Sequence, residues 1–193
     1  MAGLVYLHGF NSAPQSHKAQ VLGRHMASLG LGDRYACPTL PPAPLEAIAA
    51  AEAAIAKLPG ATLVGSSLGG FYATHLAEKH DLRAVLINPA VTPQADLESY
   101  LGEQRNLYTG AAYELTREHL AQWRSLVTPA LRPDRYLLLV ETGDEVLDYR
   151  HAVARYAGAE QVVIEGGDHA LQSFPRQLDR ILAFAGLAPA RAI

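Results

Sequence analysis

The chain has 193 residues, 49% of them hydrophobic and 18% charged, with a net charge of −3. That length is one domain's worth, enough to bury about 70% of the surface of the unfolded chain without disulfides or a metal. No basic run points to nucleic acid, no stretch of 18 apolar residues points to a membrane span, and the single cysteine, Cys37, leaves no intramolecular disulfide and no Cys-rich zinc site.

Strand and helix signals alternate from the start. Leu4-Val5-Tyr6-Leu7 is a short apolar run closed by His8-Gly9, the pattern of a buried parallel strand. With no basic residues before it, this run does not read as a secretory signal, and a cytoplasmic protein is expected. Residues 16–29 carry Ala19, Leu22, Met26 and Leu29 at helical spacing and end at Gly30. Residues 34–37 read as a weak second strand, and the prolines of Thr39-Leu40-Pro41-Pro42 mark a loop. An Ala-rich helix over 44–58 follows, with Pro44 suited to its first turn. Strands over 61–64 and 83–87 flank a helix over 68–79. The fifth strand, 136–140, has the strongest apolar run; a helix over 149–156, a sixth strand over 161–164 and a helix over 173–184 complete the chain. Repeated alternation predicts a parallel sheet with helices on both faces.

Residues 93–133 break the rhythm. About forty residues hold no strand signal, and so long a structureless loop is unusual in a compact domain. The segment reads as two or more short helices forming a cap between the fourth and fifth strands, with an ordinary long crossover as the alternative.

Gly65-Ser66-Ser67-Leu68-Gly69 matches G-x-S-x-G, follows a strand and opens a helix, the setting that a nucleophile elbow requires. The turn would lift the Ser67 Oγ above the sheet. A Gly-rich turn that binds a phosphate is the competing reading; the absence of a lysine and the spacing disfavour a P-loop. Serine needs a base, and the base an orienting carboxylate. Of eight histidines, His169 lies in Gly166-Gly167-Asp168-His169 just past the sixth strand, where α/β sheets collect catalytic groups. His17, His25, His75, His80, His119 and His151 fall in predicted helices, where surface or packing roles are the default. No H-E-x-x-H spacing occurs, and no metal is expected. Asp144 runs straight off the fifth strand and fits the acid. Asp148, four residues on, is its rival and is also placed to cap the next helix. Asp168 reads as a loop-shaping residue.

The order Ser67, Asp144, His169 is that of α/β-hydrolases. An oxyanion hole is then required, and the backbone N–H groups of Phe10, in His8-Gly9-Phe10-Asn11 after the first strand, and of Leu68 are assigned to it. His8 is expected to hold this loop rather than to serve as a second base. The expected fold is an α/β-hydrolase: a doubly wound, mainly parallel six-stranded sheet in the order 2-1-3-4-5-6 with a small helical cap, one domain over 1–193. Tyr100, Leu101, Leu107, Tyr108 and Trp123 are the candidates to line an acyl pocket above Ser67. The alternative is that they form the cap's own core.

Five blocks together, Leu7-His8-Gly9-Phe10-Asn11-Ser12, Gly65-Ser66-Ser67-Leu68-Gly69-Gly70, Ile87-Asn88-Pro89-Ala90, 142–150 and 164–170, resemble the bacterial YqiA-type esterases over nearly the whole chain. The resemblance implies an acyl esterase active on short-chain aryl esters and fatty acyl-CoA thioesters, using Ser67, Asp144 and His169 and no cofactor. Asp168 departs from it, since asparagine would be expected there. A small peptidase or transacylase on the same scaffold, or a binding protein that retains the fold without turnover, are the alternatives.

Overall fold

The apolar runs pair into one sheet in the computed structural model, which describes residues 3–187; residues 1–2 and 188–193 of the expected 1–193 domain lie outside them. In chain order the elements are β1 (Leu4–Leu7), α1 (His17–Ser28), β2 (Tyr35–Ala36), α2 (Pro44–Lys57), β3 (Thr62–Ser66), α3 (Leu68–His80), β4 (Ala84–Ile87), α4 (Pro93–Asp96), β5 (Gly102–Arg105), β6 (Ala112–Leu115), α5 (Arg117–Ser125), β7 (Tyr136–Glu141), α6 (Tyr149–Arg155), β8 (Glu160–Ile164) and α7 (Phe174–Phe184). Each of the six strands and five helices read from the sequence outside 93–133 lies within two residues of its predicted bounds.

The six strands lie in the order β2-β1-β3-β4-β7-β8, which is the expected order once the strands of the insertion are counted. Every pairing in this sheet is parallel. A parallel sheet buried on both faces needs apolar side chains pointing both ways, and alternate residues divide accordingly. Leu4, Tyr6, Leu137 and Leu139 face the side covered by α1 and α7. Val5, Leu7, Leu138 and Val140 face the side covered by α2, α3, α5 and α6. All parallel strands end at one edge, so the loops after β1, β3, β7 and β8 converge there.

The segment expected to be helices alone contains α4 and α5 and adds a two-stranded antiparallel hairpin, β5–β6. Its two parts go to different places. Helix α5 packs beside α2, and its Leu120 and Trp123 join the core on that face. The hairpin instead reaches the loop after β1. The Leu107 N–H donates to the Asn11 carbonyl (2.9 Å). Asn106 Nδ2 donates to the Ser12 carbonyl (2.7 Å), and the Tyr113 hydroxyl to Asn11 Oδ1 (2.7 Å). Asn11 sits at φ 51°, a conformation that asparagine tolerates better than most side chains.

Candidate active site

Strand β3 runs into α3 through Ser67 alone, and the turn is sharp. Ser67 adopts φ 55° and ψ −122°, a strained combination for a side-chain-bearing residue that persists only where the surroundings fix it. Three backbone bonds do so: Ser67 N–H to the Ile87 carbonyl (3.0 Å), and the Ser67 carbonyl to the N–H of Gly70 (2.9 Å) and of Ala90 (3.1 Å). The glycines of the motif are steric necessities. A Cβ at Gly65 would run into the backbone of Gly69, and one at Gly69 into the carbonyls of Leu7 and His8.

His169 reaches this serine from the loop after β8. Its Nε2 lies 3.0 Å from Ser67 Oγ. Its Nδ1 lies 2.8 Å and 3.0 Å from the two carboxylate oxygens of Asp144. With Asp144 ionised, Nδ1 carries the proton and Nε2 is the acceptor. Asp144 Oδ1 also accepts the N–H groups of Val146 (2.9 Å) and Leu147 (2.8 Å). Its side chain is 1% exposed. Burial pushes the Asp144 carboxyl up, but His169 and the two backbone donors outweigh it and hold the carboxyl below the usual range. Asp148 lies elsewhere: it caps α6 by accepting the Arg150 N–H (3.0 Å) and pairs with the Arg150 guanidinium (2.6 Å). Asp168 turns its carboxylate into its own loop, onto the Ala170 N–H (2.9 Å) and Gln172 Nε2 (2.8 Å).

His8 is 3% exposed. It accepts the Leu40 N–H at Nε2 (3.1 Å), so Nδ1 donates to the Gly9 carbonyl (3.1 Å). Burial lowers its pKa, and the neutral ring ties the loop after β1 to the proline loop. Leu68 opens α3, where the first N–H groups of a helix have no intrahelical acceptor.

Two cavities meet at Ser67, Phe10 and His169. One, about 240 Å³, is walled by Leu68, Pro93, Leu97, Tyr100 and Leu147. The other, about 370 Å³, takes in Ser12, Ser16, His17, Lys18, Tyr108 and Glu145. Of the five cap residues proposed for an acyl pocket, Tyr100 lines the first cavity and Tyr108 the second. The other three are corrected. Trp123 is fully buried, with its indole N–H on the Tyr72 hydroxyl (2.8 Å); α5 finds room beside α2 that the sequence did not reveal. Leu101 packs against the core, and Leu107 is 82% exposed at the hairpin tip. Leu97 and Leu147 form the apolar wall instead.

Two polar residues at strand ends escaped the sequence reading. Asn88 (2% exposed) donates to the carbonyls of Asp168 and His169 (both 3.1 Å) and accepts the Glu141 N–H (3.1 Å). Glu141 (1% exposed) accepts three N–H groups of the His169 loop. Asn88 closes an apolar strand just before Pro89, which was a usable signal. Nothing in the sequence marks Glu141 as buried.

Among the described residues no group of three or more His, Cys, Asp and Glu is placed to hold a metal, and no helix is long and apolar enough to cross a membrane. Cys37 is free, and burial pushes its thiol up to about 12, leaving it a poor nucleophile.

A family model described as "Uncharacterised protein family (UPF0227)" matches residues 3–186. Among solved structures, the chain is similar to a protein of Agrobacterium vitis S4 named as a hydrolase, at 22% identity and TM-score 0.76 over 95% of this chain and 88% of that one. It is similar to mouse alpha/beta hydrolase domain-containing protein 10 at 17% identity and TM-score 0.70, over 94% and 88%. A structure from the metagenome-derived lipolytic enzymes LipS and LipT matches at 20% identity and TM-score 0.67, over 96% and 93%. At these identities the likeness is one of fold, and the fold is that of the α/β-hydrolases.

Proposed function

The chain belongs to the family UPF0227, as the YqiA-type resemblance implied, and from that membership and the site's geometry we propose that it is a serine esterase working through an acyl-enzyme. The observation that carries this reading is the hydrogen-bonded line Ser67–His169–Asp144, at 3.0 Å and 2.8 Å, at the end of a strained strand–helix turn. His169 takes the Ser67 proton as Oγ attacks the substrate carbonyl. Asp144 stabilises the imidazolium that forms. The N–H groups of Phe10 and Leu68 receive the oxyanion, and His169 returns its proton to the leaving group. Water, activated by the same histidine, then releases the acid.

The two cavities divide the substrate. The apolar one suits a short acyl chain, each buried methylene contributing about 0.8 kcal/mol. The larger one, with Ser12, Ser16, Lys18 and Glu145 among its lining residues, suits the alcohol or thiol side, and thioesters as well as esters belong to the expected range. In this reading residues 93–133 are the cap of a single domain, the substrate is a small molecule met in the cytoplasm, and no cofactor takes part.

The test is hydrolysis of p-nitrophenyl butyrate together with labelling by a fluorophosphonate probe. The protein should turn over the ester and label at Ser67, and Ser67→Ala should lose about 10³-fold or more in kcat, because triad members act as a unit. A folded protein that neither labels nor hydrolyses esters or thioesters would overturn the esterase reading and leave a binding protein.

A further inference from the structure

Building on the esterase reading, we propose that Glu141 is a positioning residue for the catalytic base: its buried carboxylate holds the loop that carries His169. The carboxylate stands at the last residue of β7. Its Oε2 accepts the N–H groups of Asp168 (2.9 Å) and Gln172 (2.9 Å), and its Oε1 accepts that of Ser173 (2.8 Å). The last two donors lie just before α7, so the carboxylate also faces the positive end of that helix. The loop is folded around this one group. Gly167 sits at φ 70°, and a Cβ there would occupy the place of the Glu141 carboxylate.

This carboxylate does no work for the core. The end of a buried strand is served by an apolar side chain, and a buried charge is costly unless fully hydrogen-bonded. Here the hydrogen bonds to the carboxylate all come from one loop, with the Lys18 ammonium of α1 adding attraction at longer range. That loop has no regular structure of its own to hold it: Gly166, Gly167 and Leu171 all adopt positive φ. Its other ties converge on the same purpose. Asn88 takes the His169 carbonyl (3.1 Å), Glu145 takes the His169 N–H (3.0 Å), and Lys18 donates to the Ala170 carbonyl (2.8 Å). The main chain of the same residue meets the acid: the Glu141 carbonyl accepts the Asp144 N–H (3.3 Å), a bond that a change of side chain leaves in place. One rigid strand end therefore sets both His169 and its carboxylate partner. The amide of a glutamine could not substitute. It offers one acceptor oxygen and turns an N–H₂ group toward N–H donors.

The experiment measures kcat and KM on p-nitrophenyl butyrate, with thermal melts, for Glu141→Gln and Glu141→Asp. Each is made in the native chain and in a His169→Ala background, with Ser67→Ala alongside. In the native chain kcat should fall about 10–100-fold, the scale of a displacement of about 1 Å in a catalytic group, with KM changed less than about two-fold. In the His169→Ala background the same substitutions should change the residual rate less than about two-fold, because the Glu141 side chain acts only through the base. An equal loss in both backgrounds would overturn the proposal and leave a purely structural residue. So would native kcat in a folded Glu141→Gln protein. Should that variant not fold, Glu141→Asp keeps the charge and withdraws it by one methylene, and native kcat there would be equally fatal. Loss of activity in Ser67→Ala with native rates in both Glu141 variants would reject the positioning role alone; full activity in Ser67→Ala would reject the esterase reading, and the proposal with it.

Discussion

Replacing Asp144 by asparagine should lower kcat about 10⁴-fold, and the structure gives the reason. Asp144 Oδ1 faces two backbone donors, Val146 N–H at 2.9 Å and Leu147 N–H at 2.8 Å. In an asparagine the amide oxygen must take that place, since the alternative sets an N–H₂ group against two N–H groups. The N–H₂ then stands where Oδ2 was, 2.8 Å from His169 Nδ1. The amide oxygen stays 3.0 Å from Nδ1, but the nearer N–H₂ favours Nδ1 as an acceptor, so the ring proton shifts to Nε2, the nitrogen that should receive the Ser67 proton. The wrong tautomer costs about 10⁴ in kcat, as in other serine triads, or about 5.4 kcal/mol of barrier. The assay is steady-state hydrolysis of p-nitrophenyl butyrate, with a melting curve to show that the fold survives. Asp148→Asn is the internal control. Asparagine caps a helix as well as aspartate does, so kcat should stay within about two-fold, as for surface changes generally. If Asp148→Asn were the more damaging change, or if Asp144→Asn kept a tenth of the activity, the assignment of the acid would be wrong.

Trp123→Ala should cost about 3–5 kcal/mol of stability, the range for deleting a buried aromatic, and leave the acyl-chain preference unchanged, whereas Leu97→Ala should shift that preference with little change in melting temperature; the reverse pattern in a panel of C2 to C8 esters would refute the pocket drawn here. Gly69→Ala should abolish activity, because its Cβ would strike the Leu7 carbonyl and displace the turn that presents Ser67; an active variant would show the elbow to be more pliant than its contacts imply. Asp144 and Glu141 are both held below the usual carboxylate range, Asp144 against its burial by His169 and backbone donors, Glu141 against its burial by Ser173, Asp168 and Gln172. A depressed carboxyl contributes stability above its unfolded value and loses it as pH falls through the folded one. Melting temperature should thus hold from neutral pH to about 5 and fall below about 4; a melting temperature that stayed level through that range would contradict this.

The sheet was legible because each strand is a short apolar run with a glycine, proline or polar stop, and a parallel sheet buried on both faces demands such runs. Ser67 and His169 were legible for a related reason: each follows a strand, in a stretch of small residues that only a tight turn requires. The hairpin β5–β6 was hidden. Gly102–Arg105 has no apolar side chain, and Ala112–Leu115 is a four-residue run broken by Glu114, so no apolar alternation marks them. They are held by each other and by Asn11, about a hundred positions away. Trp123 was misplaced although a signal was present. Leu120, Trp123 and Leu126 recur at three-residue spacing, which marks one helical face, and all three are buried. Glu141 could not be found at all, because a charged residue at the end of an apolar strand reads as the first residue of a solvated loop.

The hydrogen bonds between the hairpin and the loop after β1 bear on how far this cap can be exchanged. Caps are attractive targets for grafting, since they change substrate range while the sheet stays fixed. Here the cap is not a detachable module. Asn106, Leu107 and Tyr113 bond to Asn11 and Ser12, next to the Phe10 N–H assigned to the oxyanion. A chimera that kept Ser67, Asp144 and His169 but replaced residues 93–133 would leave that loop without its ties. Recombination should therefore treat residues 8–12 and 93–133 as one exchangeable unit.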